Sequence, residues 1–279
     1  MALRRRMGRL MWTLLLAGCA PATPPERVEW LTMGTVAAVQ YEEGGMRGDH
    51  PQDVVKRVFA DVERLLNAHD PASELSRLAP LPDGEVVRRC DGSVRSCYEA
   101  AFRLMAETDG AFNPRWKGAG TLDLGAIAKG FAVDRAVAAL SGQASGARGG
   151  GRLLVDLGGN LKSARGDWVT GVRDPFGRGF AVRVTLKAGE ALATSATYFR
   201  GGHIRDGRGG ATVTNGVASV TVLHPTSAMM ADGLSTALFV LGPDAGLALV
   251  RRAHPEIAVL WTLADGRTVR HDAFRRFAD

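Results

Sequence analysis

The sequence predicts an α+β fold, a single mixed domain in which short strands pack with several helices. Apolar residues recur at helical spacing in long segments, and short strand-like segments occur in blocks rather than in strict alternation with them. Glycine supplies 35 of the 279 residues, about an eighth where roughly 7% is ordinary, which indicates many tight turns and close backbone approaches. The 46% hydrophobic and 23% charged shares exclude a disordered, collagenous or coiled-coil chain.

The elements can be predicted in chain order. Residues 28–41 have the pattern of a strand or hairpin, and residues 52–67 carry apolar side chains such as Val54, Val58 and Val62 at helical spacing. Further helices are expected over 93–107, 127–140, 227–241 and 244–253. Strands are expected over 153–157, 168–172, 181–186, 191–195, 218–223, 258–263 and 268–270. A glycine-rich linkage over 142–151 separates the first three helices from the strands.

The N-terminal segment has the composition of a secretory signal. Four arginines among the first nine residues precede an apolar run from Leu10 to Ala17, which is far shorter than the roughly 20 residues that span a bilayer. The run ends in LAGC, which resembles the bacterial lipobox and implies cleavage before Cys19 and a lipid on its sulfur. We expect a signal peptide over 1–18, a tether over 19–27, a domain over 28–279, and a bacterial membrane lipoprotein facing the periplasm. A simple secreted protein is the alternative.

The net charge depends on this signal. The full chain has 35 basic and 29 acidic residues, a formal charge of +6. Removal of residues 1–18 takes away four arginines and no acid, which leaves 31 basic and 29 acidic residues and a charge of +2. No basic patch interleaved with aromatic residues remains, so nucleic acid is not an expected partner.

Two cysteines remain in the mature chain. Cys90 and Cys97 lie seven residues apart in a compartment that permits disulfides. The spacing favours a structural disulfide that closes a small loop before a helix, with two free thiols as the alternative. It matches neither a zinc site nor a thioredoxin motif.

The segment TLDLGAIAKGFAVD at 121–134 indicates a ligand site. An acidic residue, a glycine turn and a lysine lead directly into a helix, and the N–H groups at such a helix start bind phosphate. Asp123 is placed to accept hydrogen bonds from a ligand, and Lys129 is placed to meet a phosphate. The alternative is that Asp123 caps the turn and Lys129 is a solvated helix charge.

A second segment, PTSAMMADGLSTALFVLG at 225–242, carries candidate metal ligands. Asp232 and Thr236 are four residues apart, so a helix places both on one face. A carboxylate and a hydroxyl are hard oxygen donors, and Mg²⁺ is commonly held by one or two protein ligands together with substrate phosphates. The alternative is that Thr236 bonds its own backbone and Asp232 lies on a solvated face.

A third group of residues lies in the strand region. Gly158 and Gly159 would let a ligand approach the backbone, and His203 with Asp206 is a plausible acid–base pair. A structural role for a lone histidine is the more common alternative. No GxSxG motif is present, so nucleophilic hydrolysis has no sequence support.

Taken together and in this order, the motifs resemble those of the ApbE family of FAD:protein FMN transferases. They are TMGT at 32–35, DPASELSRL at 70–78, DGAFNP at 109–114, DLGAIAKGFAVD at 123–134, LVDLGGN at 154–160, ATS at 193–195, HIRD at 203–206 and ADGLSTALFVLG at 231–242. The resemblance runs from about residue 30 to the C-terminal region, and the lipobox agrees with it.

The resemblance implies a role for each matching residue. Met33, Asp123, Lys129 and Ile204 match positions that contact FAD. The backbone carbonyl of Ala126 and the side chains of Asp232 and Thr236 match the Mg²⁺ ligands, and His203 matches the proposed base.

The family reaction cleaves the FAD pyrophosphate, transfers FMN to a threonine hydroxyl in a flavinylation motif of an acceptor protein, and releases AMP. An FAD pyrophosphatase giving FMN and AMP, or a non-catalytic flavin-binding lipoprotein, are the alternatives.

The chain departs from the family pattern at several places. His69 stands where members carry an aromatic residue, Asn113 where they carry Asp, and Gly207 where they carry Pro. Only Pro114 to Leu122 lie between the GAFN and DLGA motifs, where members have a much longer segment that lines the ligand site. The resemblance therefore implies a different ligand environment on this side of the site.

Overall fold

An eight-stranded antiparallel sheet forms the centre of the fold. The structure, a computed structural model, describes residues 24–42, 49–143, 151–177, 179–197, 204–272 and 276–277. Its strands are β1 (Glu26–Thr32), β2 (Thr35–Tyr41), β3 (Leu153–Leu157), β4 (Asn160–Arg165), β5 (Trp168–Arg173), β6 (Phe180–Leu186), β7 (Ala191–Ala196), β8 (Val217–His224), β9 (Ala258–Leu263) and β10 (Thr268–Asp272). The large sheet has the order β1-β2-β3-β4-β7-β8-β9-β10, and β5 and β6 form a separate antiparallel pair.

Helices cover one face of the large sheet. They are α1 (Pro51–Leu66), α2 (Glu74–Leu78), α3 (Asp83–Arg89), α4 (Arg95–Glu107), α5 (Ala128–Gln143) and α6 (Ala228–Ala253). Alternate residues of each strand point to opposite faces, so Val39 and Val155 pack with Phe59 of α1 and Leu234 of α6. This packing forms the main core.

The two-stranded sheet covers part of the other face. Leu154, Leu192 and Leu223 of the large sheet form a second buried cluster with Trp168 and Leu186 of the β5–β6 pair. A two-stranded sheet is at best marginally stable alone, so this cluster is what holds the pair on the domain.

Most predicted elements are confirmed, and the α+β class with them. The helix expected over 52–67 is α1, that over 93–107 is α4, and that over 127–140 is α5. The hairpin expected over 28–41 is β1 and β2, with β1 beginning at Glu26, two residues before the predicted domain boundary. The seven other predicted strands are present to within two residues at each end.

Three elements were not predicted. α2 and α3 are short, and α3 buries only Val86 fully, so its sequence lacks an apolar face of helical period. β4 has the sequence NLKSAR, whose mixed polar composition does not predict a strand. Its strand conformation depends on pairing with β3 and β7. In each case contacts with the rest of the fold outweigh a weak local pattern.

The predicted break between the two C-terminal helices is present inside α6. Gly242 has a non-helical conformation with φ 72°, and Pro243 follows it. α6 is long and apolar enough to cross a membrane, but 61% of its most apolar stretch is buried in the domain. We interpret it as the core helix.

The predicted disulfide is wrong. Cys90 and Cys97 are free thiols, and both are buried. Cys90 follows the end of α3, where its Sγ donates to the carbonyl oxygen of Val87 at 3.2 Å, while Cys97 lies inside α4. The two thiols therefore have separate surroundings and form no bond with each other.

Several predictions lie outside the described residues. They concern the signal peptide over 1–18, Cys19 and most of the tether, and His203. Most of the glycine-rich linkage over 142–151 is also outside them.

α5 and α6 meet in a direct backbone contact at Gly130. A Cβ atom at Gly130 would lie 2.1 Å from the carbonyl oxygen of Ala228 and 2.8 Å from Cβ of Asp232. Such distances are not compatible with any side chain, so only glycine fits here. The N–H of Gly130 donates to Oδ2 of Asp232 at 2.9 Å.

Asp134 strengthens this contact by holding the start of α6. Its carboxylate accepts hydrogen bonds from Oγ of Ser227 at 2.8 Å and from the N–H groups of Ala228 and Met229 at 2.9 and 3.0 Å. Lys162 binds the same carboxylate at 2.7 Å. A negative charge at a helix N-terminus is favourable, so Asp134 fixes α6 against α5 one helical turn beyond Gly130.

Replacing Gly130 will strongly destabilise the protein. Gly130→Ala forces the two helices apart, and we expect a loss of about 3 kcal/mol in the free energy of unfolding, measured by urea denaturation. Gly84→Ala is the matched control, because Gly84 is also helical and the nearest atom to its added Cβ is Arg88 Nη1 at 3.6 Å. That variant should gain about 0.5 kcal/mol. Equal effects of the two substitutions would contradict the close contact.

Candidate active site

A cavity of about 1300 Å³ opens where the ends of several elements meet. It is bordered by the Met33–Gly34 turn between β1 and β2, the Gly158–Gly159 turn between β3 and β4, the segment before α5, and the first half of α6. The predicted site residues that line it are Met33, Asp123, Ala126, Lys129, Ile204, Asp232 and Thr236. The fold therefore brings these seven residues together, whereas Asp206, which also lies within the described residues, is not among those that line the cavity.

Asp123 is held in a hydrogen-bonded position before α5. Its Oδ1 accepts from the N–H of Gly125 at 3.0 Å, so it caps the turn as the structural alternative proposed. Its Oδ2 accepts from Lys117 Nζ at 3.0 Å and from Trp116 Nε1 at 3.3 Å. Burial raises the pKa of Asp123, but these donors outweigh burial and keep the pKa below its usual value. The residue caps the turn and also lines the cavity as a charged carboxylate.

Lys129 and Asp232 face each other across the contact of α5 and α6. Lys129 Nζ lies 3.6 Å from Oδ2 of Asp232 and donates to the carbonyl oxygen of Gly125 at 2.9 Å. Asp232 is 5% exposed, and burial raises its pKa although Lys129 and the Gly130 N–H oppose the shift. Both structural alternatives fail here, because Asp232 is buried and Lys129 is paired rather than freely solvated.

Thr236 lies one turn after Asp232 and also faces the cavity. Among the described residues its hydroxyl bonds Ser195 Oγ on β7 at 3.0 Å, and not its own helix backbone as the alternative proposed. Ser195 also contacts Ser235 Oγ at 2.8 Å. The hydroxyl of Thr236 is therefore fixed by the sheet.

Asp232, Thr236 and the carbonyl of Ala126 form a donor set that fits Mg²⁺. All three residues line the same cavity, and all offer hard oxygen atoms, which Mg²⁺ prefers. Within the described ranges no group of three or more His, Cys, Asp or Glu residues is arranged to hold a metal. A site with one carboxylate suits an ion that completes its coordination with water and substrate phosphates.

Met33 adopts a backbone conformation that is uncommon for its type. Its φ is 48°, and Gly34 follows with φ 68°, so both residues of the two-residue hairpin turn are left-handed, as in a type I′ turn. A methionine in this region is strained. Strain of this kind is concentrated at ligand sites, and Met33 lines the cavity.

Ile204 belongs to a loop that packs on the residues after α4. Ile204 is buried, and the Asp206 carboxylate binds Arg208 through both oxygens, at 2.8 and 2.6 Å. The predicted pair of His203 and Asp206 stays a prediction, because His203 lies outside the described residues.

Two of the departures from the family pattern, Asn113 and Gly207, touch each other. Asn113 Nδ2 donates to the carbonyl oxygen of Gly207 at 2.9 Å, and the Gly207 N–H donates to the carbonyl oxygen of Ala111 at 3.0 Å. An aspartate at 113 has no proton to donate when ionised, and a proline at 207 has no N–H. A Cβ at Gly207 would also lie 2.4 Å from the carbonyl oxygen of Gly110. The two departures therefore depend on each other.

Sequence reasoning missed the contribution of the short segment 114–122. Its Arg115 has a largely buried side chain that donates to the carbonyl oxygens of Ala79 and Thr121 at 2.8 and 3.0 Å and also binds Asp83. This anchor presents Trp116 to the cavity. The presence of an arginine and a tryptophan in this nine-residue connection was the feature of the sequence that could have indicated its role in the site.

Asp156 was also missed as an individual residue. It lines the cavity from β3 and accepts a hydrogen bond from the Gly159 N–H at 2.9 Å. Burial raises its pKa. Asp156 lies inside the LVDLGGN motif, but the sequence does not show that its side chain lines the cavity.

Comparisons with known proteins agree with the geometry. The model of the ApbE family matches residues 115–261. A protein of Treponema pallidum named FAD:protein FMN transferase is 36% identical over 168 residues, which are 52% of this chain and 44% of that protein. One of Klebsiella pneumoniae with the same name is 35% identical over 150 residues, 50% of this chain and 45% of that protein. The chain thus aligns with somewhat less than half the length of these relatives.

A solved structure extends the similarity to most of the fold. The flavin transferase ApbE from Vibrio cholerae superimposes with a TM-score of 0.74 at 24% identity. The match covers 91% of this chain and all of that one. The two chains share a fold.

Relief of strain at Met33 should distinguish glycine from alanine at this position. Met33→Gly and Met33→Ala both lose the packing of the methionine side chain on the main core, but only glycine adopts a φ of 48° without strain. We expect the free energy of unfolding of Met33→Gly to exceed that of Met33→Ala by about 1 kcal/mol, measured by chemical denaturation. Gly34→Ala is the reciprocal control: its added Cβ meets nothing within 4 Å, but φ is +68°, so it should lose about 1 kcal/mol. Equal stability of Met33→Gly and Met33→Ala would refute the role of strain in this turn.

Proposed function

Because the chain belongs to the ApbE family, whose model matches residues 115–261, we propose that it transfers FMN from FAD to a threonine hydroxyl of an acceptor protein and releases AMP. The relatives with the name FAD:protein FMN transferase support this activity. One structural observation carries it for this chain. One large cavity is lined by Lys129 at the start of α5 and by Asp232 and Thr236 on α6. The Lys129 ammonium lies beside the buried carboxylate of Asp232.

The cavity suits a dinucleotide. At about 1300 Å³ it exceeds the range of roughly 300–1,000 Å³ that is common for small-molecule sites. The start of α5 borders the cavity through Ala128 and Lys129, where the positive end of the helix dipole favours phosphate, and Lys129 adds a full charge. Met33, Asp123 and Ile204 border the same space, and we assign them to contacts with FAD.

The metal site is assigned to Asp232, Thr236 and the carbonyl of Ala126. When bound there, Mg²⁺ would neutralise charge on the pyrophosphate of FAD during transfer. Lys129 supplies a second positive charge, since its Nζ lies only 3.6 Å from Oδ2 of Asp232. With Mg²⁺ and FAD bound, two cationic groups would then lie beside the bond that breaks.

The transfer itself is a substitution at phosphorus. The acceptor threonine oxygen bonds to the phosphorus of the FMN half, the bond to the bridging oxygen breaks, and AMP leaves with that oxygen. The threonine proton passes to a base, which we assign to His203. Positioning of these groups in line supplies most of the catalytic effect.

Exposed apolar side chains near the cavity favour a protein as acceptor over water. Within the described residues, the large hydrophobic side chains that are exposed are Leu31, Val36, Val169, Phe176 and Phe180. All of them lie on the β1–β2 and β5–β6 hairpins, and Val36, Val169 and Phe180 also line the cavity. A concentration of this kind marks an interaction surface. Because Val36, Val169 and Phe180 are continuous with the cavity, we assign this part of the surface to the segment that carries the acceptor threonine.

We also propose that the protein is a lipoprotein anchored through Cys19 to a bacterial membrane and facing the periplasm. β1 starts at Glu26, seven positions after Cys19, and an extended chain over seven positions spans at most about 25 Å. The lipid would therefore hold the domain close to the membrane surface. Radiolabelled fatty acid incorporated by the full chain but not by Cys19→Ala would support the anchor.

Loss of the Asp232 carboxylate will abolish the reaction. We expect no detectable flavin on the acceptor with Asp232→Ala, because the metal loses its only carboxylate ligand. The measurement incubates the protein with FAD, Mg²⁺ and an acceptor protein that carries a threonine flavinylation motif, and follows the acceptor mass and released AMP.

Chelation of Mg²⁺ should have the same effect as this substitution and be reversed when the ion is restored. Asp265→Ala is the matched control, because Asp265 is an exposed aspartate paired with Arg267. Free FMN and AMP without a modified acceptor would indicate a pyrophosphatase instead, and flavin binding without turnover would indicate a non-catalytic binding protein. Full activity in Asp232→Ala would refute the metal site.

Substitution in the apolar surface of the hairpins should change the KM for the protein acceptor and leave the affinity for FAD unchanged. The ring of Phe180 lies against the backbone of Gly171, where an added Cβ would be 2.2 Å from Cδ1 of Phe180, so its exposed position is fixed. Phe180→Ser should raise KM for the protein acceptor about tenfold, the effect of about 1.4 kcal/mol. Phe176→Ser is the control, since Phe176 is exposed on the same hairpin but is not among the lining residues. A weaker affinity for FAD with an unchanged acceptor KM would contradict this assignment.

A further inference from the structure

A chain of hydroxyl groups connects the strand β7 with the predicted metal ligands. Ser195 Oγ lies 2.8 Å from Ser235 Oγ and 3.0 Å from Thr236 Oγ1. Ser235 Oγ lies 2.8 Å from the carbonyl oxygen of Asp232. The three contacts therefore run from Thr236 to the backbone of Asp232 through two serines that have no assigned role.

The directions of these hydrogen bonds follow from counting protons. A hydroxyl has one proton to donate, and a carbonyl oxygen has none. The contact with the Asp232 carbonyl therefore requires Ser235 to donate. Since Ser235 has then used its proton, Ser195 must donate to Ser235, and Thr236 must donate to Ser195. Only this order makes all three contacts hydrogen bonds.

This order determines what Thr236 offers to the cavity. Its single proton is directed to Ser195, so the remaining face of its oxygen carries lone pairs only. A cation ligand must present lone pairs, and a hydroxyl that is free to rotate has first to turn its proton away. We propose that Ser195 and Ser235 are positioning residues that hold the Thr236 hydroxyl as an acceptor for the bound metal ion, an inference that rests on the proposed metal-dependent function.

The packing of β7 explains how Ser195 reaches this position. Ser195 follows Ala191 and Ala193 on the side of β7 that faces the helices, where these alanines belong to the main core. Small side chains allow α6 to lie close to the strand, which brings Ser195 into contact with Ser235 and Thr236. Thr194, the adjacent residue in the strand, bonds Thr221 Oγ1 at 2.8 Å instead.

The buried position of Ser235 supports a directed chain. Ser235 is fully buried, so water cannot replace its partners. Removing a partner from a buried hydroxyl leaves it unsatisfied and costs free energy. Its alignment with the Asp232 carbonyl is therefore stable, and the directions of the next two bonds follow from it.

The test measures metal binding directly. Mn²⁺ takes the same hard oxygen ligands as Mg²⁺, and loss of the free Mn²⁺ signal in electron paramagnetic resonance reports its binding to the full-length protein. Ser195→Ala should weaken Mn²⁺ binding about tenfold, as is usual when a residue that orients a metal ligand is removed. Its melting temperature without metal should stay within about 2 °C of the wild type, because the substitution removes one partly buried hydroxyl from a domain of this size.

Two variants and one control separate positioning from packing. Ser195→Thr keeps the hydroxyl and should restore binding to within about threefold of the wild type, well inside the tenfold loss expected on removal. Ser235→Ala removes the end of the chain, so Ser195 is free to donate to Thr236, and the Mn²⁺ affinity should also fall. Thr221→Val removes a buried hydroxyl of the neighbouring strand β8, which bonds Thr194 and not this chain of hydroxyls, and should leave the affinity unchanged.

The outcomes distinguish this inference from the proposed function. Wild-type Mn²⁺ affinity in Ser195→Ala, together with loss of binding in Asp232→Ala, would overturn the positioning role and leave the metal site intact. Absence of Mn²⁺ binding by the wild type would overturn both. A loss in Ser195→Ala that Ser195→Thr does not rescue would assign the effect to packing and also overturn the proposal.

Discussion

The contact between α5 and α6 at Gly130 is the constraint on which the site depends. No side chain fits between Gly130 and the carbonyl of Ala228, and this closeness lets the Gly130 N–H reach the carboxylate of Asp232. Lys129, the preceding residue, meets the same carboxylate for the same reason. The start of α5, to which we assign phosphate, and the face of α6 that carries the proposed metal ligands are therefore one unit. Asp134 keeps that unit aligned by holding the first N–H groups of α6.

The limits of prediction from sequence follow from which interactions are local. The helix α1 and the spacing of Asp232 and Thr236 were predictable because their periodicity lies within one segment. The strand β4 was not predictable, since its polar residues adopt a strand conformation only through pairing with β3 and β7. The bond between Ser195 and Thr236 joins residues 41 positions apart, and no pattern in either segment indicates it. The disulfide was predicted wrongly because spacing alone does not show that the Cys90 thiol is directed to the carbonyl oxygen of Val87 while Cys97 is buried inside α4.

The short segment 114–122 changes the meaning of the departures from the family pattern. A deletion in sequence suggests a missing wall, but Arg115 ties the segment to the backbone near Ala79, and Trp116 and Lys117 bind Asp123 directly. The segment thus supplies an indole to the border of the cavity. Asn113 lies just before the segment, and its side-chain amide donates a hydrogen bond to the carbonyl oxygen of Gly207. An ionised aspartate, the residue that the family pattern has at this position, could not donate this bond. These differences form one local rearrangement rather than independent losses.

The electrostatics of Asp232 explain why this arrangement suits a cation. A carboxylate that is 5% exposed has lost most of its hydration, and such a loss is costly unless positive groups replace the water. Here the replacements include the Gly130 N–H at 2.9 Å, the backbone N–H of Lys129 and the Lys129 ammonium at 3.6 Å, and this last distance is longer than a direct hydrogen bond. Lys129 also donates to Gly125, so its charge is shared. A divalent ion between Asp232 and Thr236 would supply the compensation that the protein alone leaves incomplete, and the rigid contact at Gly130 prevents the carboxylate from turning to solvent instead.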